Sequence, residues 1–202
     1  MSTAENRELT PREYLALERA AEIRHEFYRG GLRAMSGATR SHNLIVTNLV
    51  TAFGNRLRGR PCETYSNVMR VFVEPTGLYT YPDIVVTCGG PRFQDGVHDT
   101  LLNPSLIVEV LSDSTESHDR GFKTIQYRRL ESLRTYVLIS QKSMLVEWHT
   151  RVGADLWAIR VAIGADGVLD LGDALAVPVS IPLAEIYDRV EFAPVPSDGC
   201  RI

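Results

Sequence analysis

Apolar residues change their period several times along this chain, and each change marks an element. Ile45, Leu49, Phe53 and Leu57 recur every four residues, which predicts a helix with one buried stripe, capped by Ser41 and stopped by Gly59 with Arg60-Pro61. Upstream, Thr10-Pro11-Arg12-Glu13 combines a cap, a first-turn proline and a capping-box glutamate, so a first helix should run to about Ala20 or Ile23. Between the two, residues 25–35 place HEFY and LRAM on either side of Gly30-Gly31, a pair free to adopt the positive φ of a tight hairpin turn. Strands follow at 62–66 and 68–73, then a turn at Pro75-Thr76-Gly77 and a third strand at 79–87, ended by Gly89-Gly90-Pro91. Residues 105–111, SLIVEVL, are almost continuously apolar, the mark of a central strand covered on both faces.

A helix over 118–130 leads into a second such strand at 135–140. Residues 145–149 and 156–162 read as hairpin arms that carry Trp148 and Trp157 into the core, 164–172 as turn, and 182–187 as a short helix. A strand–helix–strand order of this kind implies an α/β fold with a mixed β-sheet flanked by helices, together with additional β-hairpins. No repeat or linker divides residues 1–202, so one domain is expected, with 1–9 and 193–202 as loose tails.

With 44% apolar and 23% charged residues over 202 positions, the chain can bury a full core, which argues against disorder. Its net charge of −3 excludes the broad basic field of a protein that coats nucleic acid and leaves room only for a local patch. Cys62, Cys88 and Cys200 are odd in number and widely spaced, and read as reduced thiols rather than a disulfide frame or a zinc site. The charged N-terminal stretch is unlike a signal peptide, and no apolar run nears the roughly 18 residues of a membrane span. The expectation is a cytoplasmic protein with no membrane partner.

Two acids break the apolar pattern. Asp83 sits in Tyr81-Pro82-Asp83-Ile84-Val85-Val86, and Glu109 interrupts Leu106-Ile107-Val108 and Val110-Leu111. A buried carboxylate without a partner is costly, so each must be hydrogen-bonded, neutralised or bound to a cation. Strand alternation puts Asp83 on the face of Tyr81 and Val85, and Glu109 on that of Ile107 and Leu111. On neighbouring strands, facing side chains have Cβ atoms about 4.5–5.5 Å apart, a spacing that lets two carboxylates share one Mg²⁺ with water completing the shell. An arginine or lysine partner for each acid would satisfy the same sequence.

The helix after Glu109, with its extension to Arg134, carries Arg120, Lys123, Arg128, Arg129 and Arg134 against Asp119 and Glu131. That is the local basic patch an acidic protein needs to hold phosphate, although a solvated helix face reads the same way. Lys123 has Asp119 and Tyr127 one turn away on its own face. His42 opens its helix, where it could meet phosphate or metal or simply lie near a cap. Ser112, Ser114 and Thr115 read as helix capping.

Tyr-Pro-Asp83, then Val-Glu109-Val-Leu-Ser-Asp-Ser-Thr, then Asp119-Arg-Gly-Phe-Lys123 with Tyr127, together resemble the Uma2 family of the PD-(D/E)XK restriction-endonuclease-like superfamily, over almost the whole chain. The resemblance implies a core sheet flanked by helices, with Asp83 and Glu109 as ligands of Mg²⁺ (Mn²⁺ as a substitute) and the backbone carbonyl of Val110 in the metal shell. Glu26 matches the family's upstream acidic position and would contact the metal or its water. The superfamily lysine normally stands two residues after the glutamate, where this chain has Leu111; the family resemblance moves that role to Lys123. The implied activity is Mg²⁺-dependent hydrolysis of phosphodiester bonds in nucleic acid, DNA above all, with Arg120, Arg128 and His42 holding the backbone. Analogy with nucleases that cut both strands adds a homodimer. The alternative is a catalytically inactive nuclease fold that binds nucleic acid or a protein partner, which Leu111 and the mild acidity favour.

Overall fold

The two longest apolar strands form the middle of the molecule, and the other elements cover them. This computed structural model describes residues 8–35, 37–66, 68–175 and 177–193. In chain order the first half comprises α1 (Pro11–Ala20), β1 (His25–Tyr28), β2 (Gly31–Ala34), α2 (Arg40–Arg56), β3 (Cys62–Ser66), β4 (Arg70–Val73), β5 (Leu78–Thr80), β6 (Ile84–Cys88) and β7 (Thr100–Leu101). The second half comprises β8 (Leu106–Leu111), α3 (Glu116–His118), a π-helical turn (Asp119–Lys123), α4 (Thr124–Tyr127), β9 (Thr135–Ser140), β10 (Leu145–Arg151), β11 (Trp157–Ile163), β12 (Val168–Gly172), β13 (Val179–Pro182) and α5 (Leu183–Ile186). A six-stranded sheet runs β11-β10-β9-β8-β6-β3, a five-stranded sheet runs β2-β1-β5-β4-β7, and β12 pairs with β13. In the larger sheet β8 and β9 are parallel and the other neighbours antiparallel, which is the expected strand–helix–strand unit inside a mixed sheet.

Alternation along β8 divides the core. Leu106, Val108 and Val110 pack with Ile45, Leu49 and Phe53 of the α2 stripe and with Leu169, Ile181 and Ile186. Ile107 and Leu111 face the other way, onto Val71, Val73, Leu78 and Tyr127. Burying each such side chain contributes about 1.5–3 kcal/mol. Glu109 falls on this second face, at a position that packing alone would give to an apolar residue.

Several local expectations shift. Thr39 caps α2 in place of Ser41, its hydroxyl accepting the His42 N–H at 3.1 Å. The hairpin turn is Arg29-Gly30, because Tyr28 pairs with Gly31; both turn residues have positive φ, and a Cβ at position 30 would lie 2.5 Å from Glu8 Cβ. The strand expected over 79–87 is broken at Tyr81-Pro82-Asp83, where proline cannot donate to a ladder, and its halves join different sheets. The helix expected over 118–130 begins at Glu116, passes through the π-helical turn and ends at Tyr127. Part of the expected turn at 164–172 is strand β12, paired with β13. Trp148 is in the core as expected, but Trp157 is only half-buried and lies beneath the guanidinium groups of Arg128 and Arg151.

Cys62 and Cys88 are not reduced thiols. They are register partners on β3 and β6, with Cα atoms 4.0 Å apart, and form a disulfide. The thiol argument for a reducing compartment therefore does not extend to this pair. Cys200 and the expected tails over 1–7 and 194–202 lie outside the described residues. Among the described residues no helix is long and apolar enough to cross a membrane.

Candidate active site

Two interruptions of regular structure and one buried strand aim at the same place. The Pro82 break leaves Asp83 at the mouth of β6, one step beyond the Ile84–Val108 pair and so across from Glu109. The π-helical turn buries Asp119 and Lys123 together. Strand β1 brings in Glu26, which is also buried. These five residues, with His42, His118, Tyr81 and Arg33, line a pocket of about 410 Å³.

Lys123 is shared. Its Nζ lies 2.9 Å from Glu26 Oε1, 3.0 Å from Glu109 Oε1 and 3.2 Å from Asp119 Oδ1. Tyr127 OH donates to Glu109 Oε1 at 2.8 Å, and Thr80 Oγ1 donates to Glu26 Oε1 at 2.5 Å. Asp83 is held differently: its Oδ2 accepts the Val110 N–H at 2.7 Å, and its Oδ1 is 3.0 Å from His42 Nε2. His118 Nε2 stands 3.5 Å from Glu26 Oε2.

Three carboxylates thus surround one buried ammonium, and a fourth, Asp83, shares the pocket. Burial raises the Glu109 carboxyl well above the usual range, with Asp119 and Asp83 adding to the rise and Lys123 opposing it. Burial also works against the Lys123 ammonium, but Glu109, Glu26 and Asp119 outweigh it, so its pKa rises and it stays charged. Burial, with Glu109 and Glu26 nearby, pushes the Tyr127 phenol up and keeps it a donor. Glu26 moves in the opposite direction. Although burial raises it, the His118 ring 3.5 Å away, the Lys123 charge and the Thr80 hydroxyl bring it down to about 2.

A lowered folded pKa has a definite pH signature. Glu26 stabilises the fold fully above its ordinary value of 4.5 and loses that contribution as pH falls toward about 2. Glu26→Gln should cost on the order of 3 kcal/mol near neutrality. In urea titrations the gap between wild type and variant should narrow steadily across that acid window. A gap that stays constant through it would remove ionisation of Glu26 from the account.

A family model described as "Uma2: Putative restriction endonuclease" matches residues 11–184. The chain belongs to the Uma2 family. Two Synechocystis relatives, slr1290 and sll1609, are both described as uncharacterized proteins. The first is 36% identical over 151 residues, covering 75% of this chain and 78% of the relative; the second is 32% identical over 170 residues, covering 84% and 96%. The crystal structure of a putative nuclease belonging to DUF820 from Anabaena variabilis matches with a TM-score of 0.70 at 15% identity, covering 89% of this chain and 97% of that one. At that identity the likeness is one of fold, the restriction-endonuclease-like sheet flanked by helices.

In this Uma2 chain Asp83, Glu109, Lys123 and Glu26 meet at one pocket, and His42 joins them through Asp83. Val110 also lines the pocket, and the contact it makes there is its N–H to Asp83. Arg120 and Arg128 do not line it. Arg120 pairs with Glu116 and Glu147, each at 2.9 Å, and Arg128 Nη2 is 3.1 Å from His149 Nδ1. Thr80, His118 and Arg33 escaped sequence reasoning. An unbroken strand would have put Thr80 and Asp83 on opposite faces, whereas the proline break lets both serve one site.

Donor chemistry limits what the pocket can hold. Among the described residues no three His, Cys, Asp or Glu side chains are grouped as a metal cage, so a closed zinc-type site is not found there. Mg²⁺ needs only one or two carboxylates, with water and phosphate oxygens completing its shell. Asp83 and Glu109 meet that requirement, and the surplus of carboxylates over ammonium favours a cation. His42 Nδ1, moreover, is buried without a hydrogen-bond partner among the described residues. The residues present fit a two-carboxylate ion.

Proposed function

We propose that this Uma2 protein is a Mg²⁺-dependent endonuclease that hydrolyses phosphodiester bonds in nucleic acid, DNA above all, at the pocket of Asp83, Glu109, Lys123 and Glu26. One observation supports it most: an acid after a proline break, an acid inside an apolar strand and a helix amine, far apart in sequence, converge on a pocket richer in carboxylate than in ammonium. Asp83 and Glu109 would hold the ion, with the Val110 carbonyl as a further ligand and Mn²⁺ as a substitute. Bound there, the ion supplies polarisation of a phosphate oxygen and a more acidic water. The chain's own residues do the positioning. Val110 N–H and His42 orient Asp83, while Lys123 and Tyr127 orient Glu109 through one oxygen. Glu26, at about 2, is too weak a base to take a proton near neutrality, so its part is to hold Lys123 in place. Lys123, kept charged, puts positive charge beside the phosphate as negative charge develops on it.

A second reading keeps the fold without the turnover, as a protein that binds nucleic acid or a protein partner. Two observations favour it. Leu111 is buried at the usual lysine position, and Lys123 is already engaged by three carboxylates. Plasmid and linear DNA offered to purified wild type, Asp83→Asn and Glu109→Gln in Mg²⁺ and in Mn²⁺ separate the two. A nuclease should cut in the wild-type form, stop when the ion is chelated, and slow by at least about 100-fold in each variant. Equal cleavage by all three would reject the site, and binding without turnover in either metal selects the second reading.

A further inference from the structure

A phosphate brought to this pocket meets an unfavourable field. Glu26, Asp83, Glu109 and Asp119 line it, and the one buried ammonium, Lys123, sits within 3.2 Å of three of them. An anionic backbone therefore needs a second fixed cation at the rim. None of the arginines that follow Glu109 in the basic segment lines the pocket, and the two inside or next to its helix are engaged elsewhere. Arg120 is paired with Glu116 and Glu147, and Arg128 lies against His149 and over the Trp157 ring.

Arg33 has the required properties. It stands on β2, directly opposite Glu26 on β1, and cross-strand partners share a face, so its side chain leans to the side on which Glu26 enters the site. It lines the pocket. The facing acid does not neutralise it: Glu26 Oε1 is taken by Thr80 and Lys123, and Oε2 is next to His118. Arg33 is exposed and makes no ion pair among the described residues. Its strand is the edge of the five-stranded sheet, with all four residues exposed, and Ala34, Met35, Gly37 and Ala38 continue the pocket lining from it.

We propose that Arg33 is a phosphate-contacting residue, and that the nucleic-acid backbone is gripped along the β2 edge rather than along the basic helix. A planar guanidinium can give two parallel hydrogen bonds to one phosphodiester, and one not already matched by a carboxylate brings its full charge to that contact. The assignment rests on the nuclease-fold reading above, and its test separates the two. Binding of a short fluorescently labelled DNA duplex is measured across a salt series, with Ca²⁺ in place of Mg²⁺. The proteins are full-length wild type, Arg33→Ala, Arg33→Lys and Arg129→Ala; Arg129 is exposed just beyond the basic helix. Arg33→Ala should weaken binding about tenfold and lower the slope of log affinity against log salt by about 1, whereas Arg33→Lys should keep the slope and Arg129→Ala should change neither. An exposed residue without an ion pair should leave the thermal midpoint where it was, so lost binding would not reflect lost fold. Wild-type affinity and slope in Arg33→Ala would overturn this assignment while leaving the nuclease reading in place. A larger loss in Arg129→Ala than in Arg33→Ala would also overturn it, by returning the backbone to the helix. Failure of the wild type to bind at all would overturn both.

Discussion

Lys123→Met should destabilise the protein by about 3–5 kcal/mol at neutral pH, the usual result of removing one partner from a buried charge cluster. Methionine matches the length of the lysine stem, so little packing is lost. What is lost is the only ammonium among the described residues near Glu109, Glu26 and Asp119, all three buried. Without it, burial raises the carboxyl pKa values above those of the unfolded chain. Groups raised in this way favour the folded state fully below the ordinary carboxyl value and progressively less as pH rises above it. The penalty of Lys123→Met should therefore be smaller near pH 4 than near pH 7 (both about), as read from urea midpoints. Adding Glu109→Gln should recover part of the loss, because it removes one of the stranded charges; the two changes should thus be non-additive. A variant as stable as wild type at neutral pH would show that the ammonium does not compensate these acids.

Arg70→Met should cost about 3 kcal/mol or more, for a related reason in a different place. Arg70 is fully buried on β4. Its Nε donates to Thr100 Oγ1 at 2.9 Å and its Nη1 to Tyr81 OH at 2.8 Å, and its guanidinium lies over the rings of Tyr14 and Tyr81. Nη2 is 2.8 Å from Asp99 Oδ2 at ion-pair distance, although its N–H is not aligned along that contact. Tyr81 OH passes the network on to the buried Glu18, which also receives the His25 N–H. Arg70 thus ties α1 and the start of β1, the strand that carries Glu26, to the rest of the five-stranded sheet. Arg19 supplies the contrast. It pairs with the same Asp99 at 2.8 Å but is about a third exposed. Arg19→Ala should cost less than about 1 kcal/mol, because solvent already screens the pair. Equal losses from the two substitutions, measured by denaturant titration, would mean that burial does not set their difference.

Much of the fold was legible along the chain. The Thr10–Glu13 capping box, the α2 stripe and the apolar runs of β8 and β9 stand where the periods put them, since each depends on residues within a turn or two. The strand–helix–strand order was enough to predict a mixed sheet, whose parallel pair is β8 with β9. Glu109 was conspicuous for the same reason: a charge inside an apolar run is a local anomaly, and Asp83 shared it. The Asp119, Lys123 and Tyr127 spacing on one helix face also survived, even though the turn that presents the first two is π-helical.

What failed was register, and its consequences reach the site. A turn at Gly30-Gly31 pairs Glu26 with Met35; the actual turn, one residue earlier, pairs it with Arg33 and so puts at the pocket a guanidinium that has no ion pair among the described residues. Cys62 and Cys88 looked unrelated because antiparallel registry, not sequence distance, makes them neighbours. Arg120 and Arg128 looked available for phosphate because Glu147 and His149 on β10, which engage them, are remote in sequence. The sequence by itself determined where most helices and strands lie and which acids have no place among their apolar neighbours, since those depend on short-range periodicity. Only the tertiary structure decided which charges meet, because attraction and desolvation act across strands whose alignment no local pattern specifies.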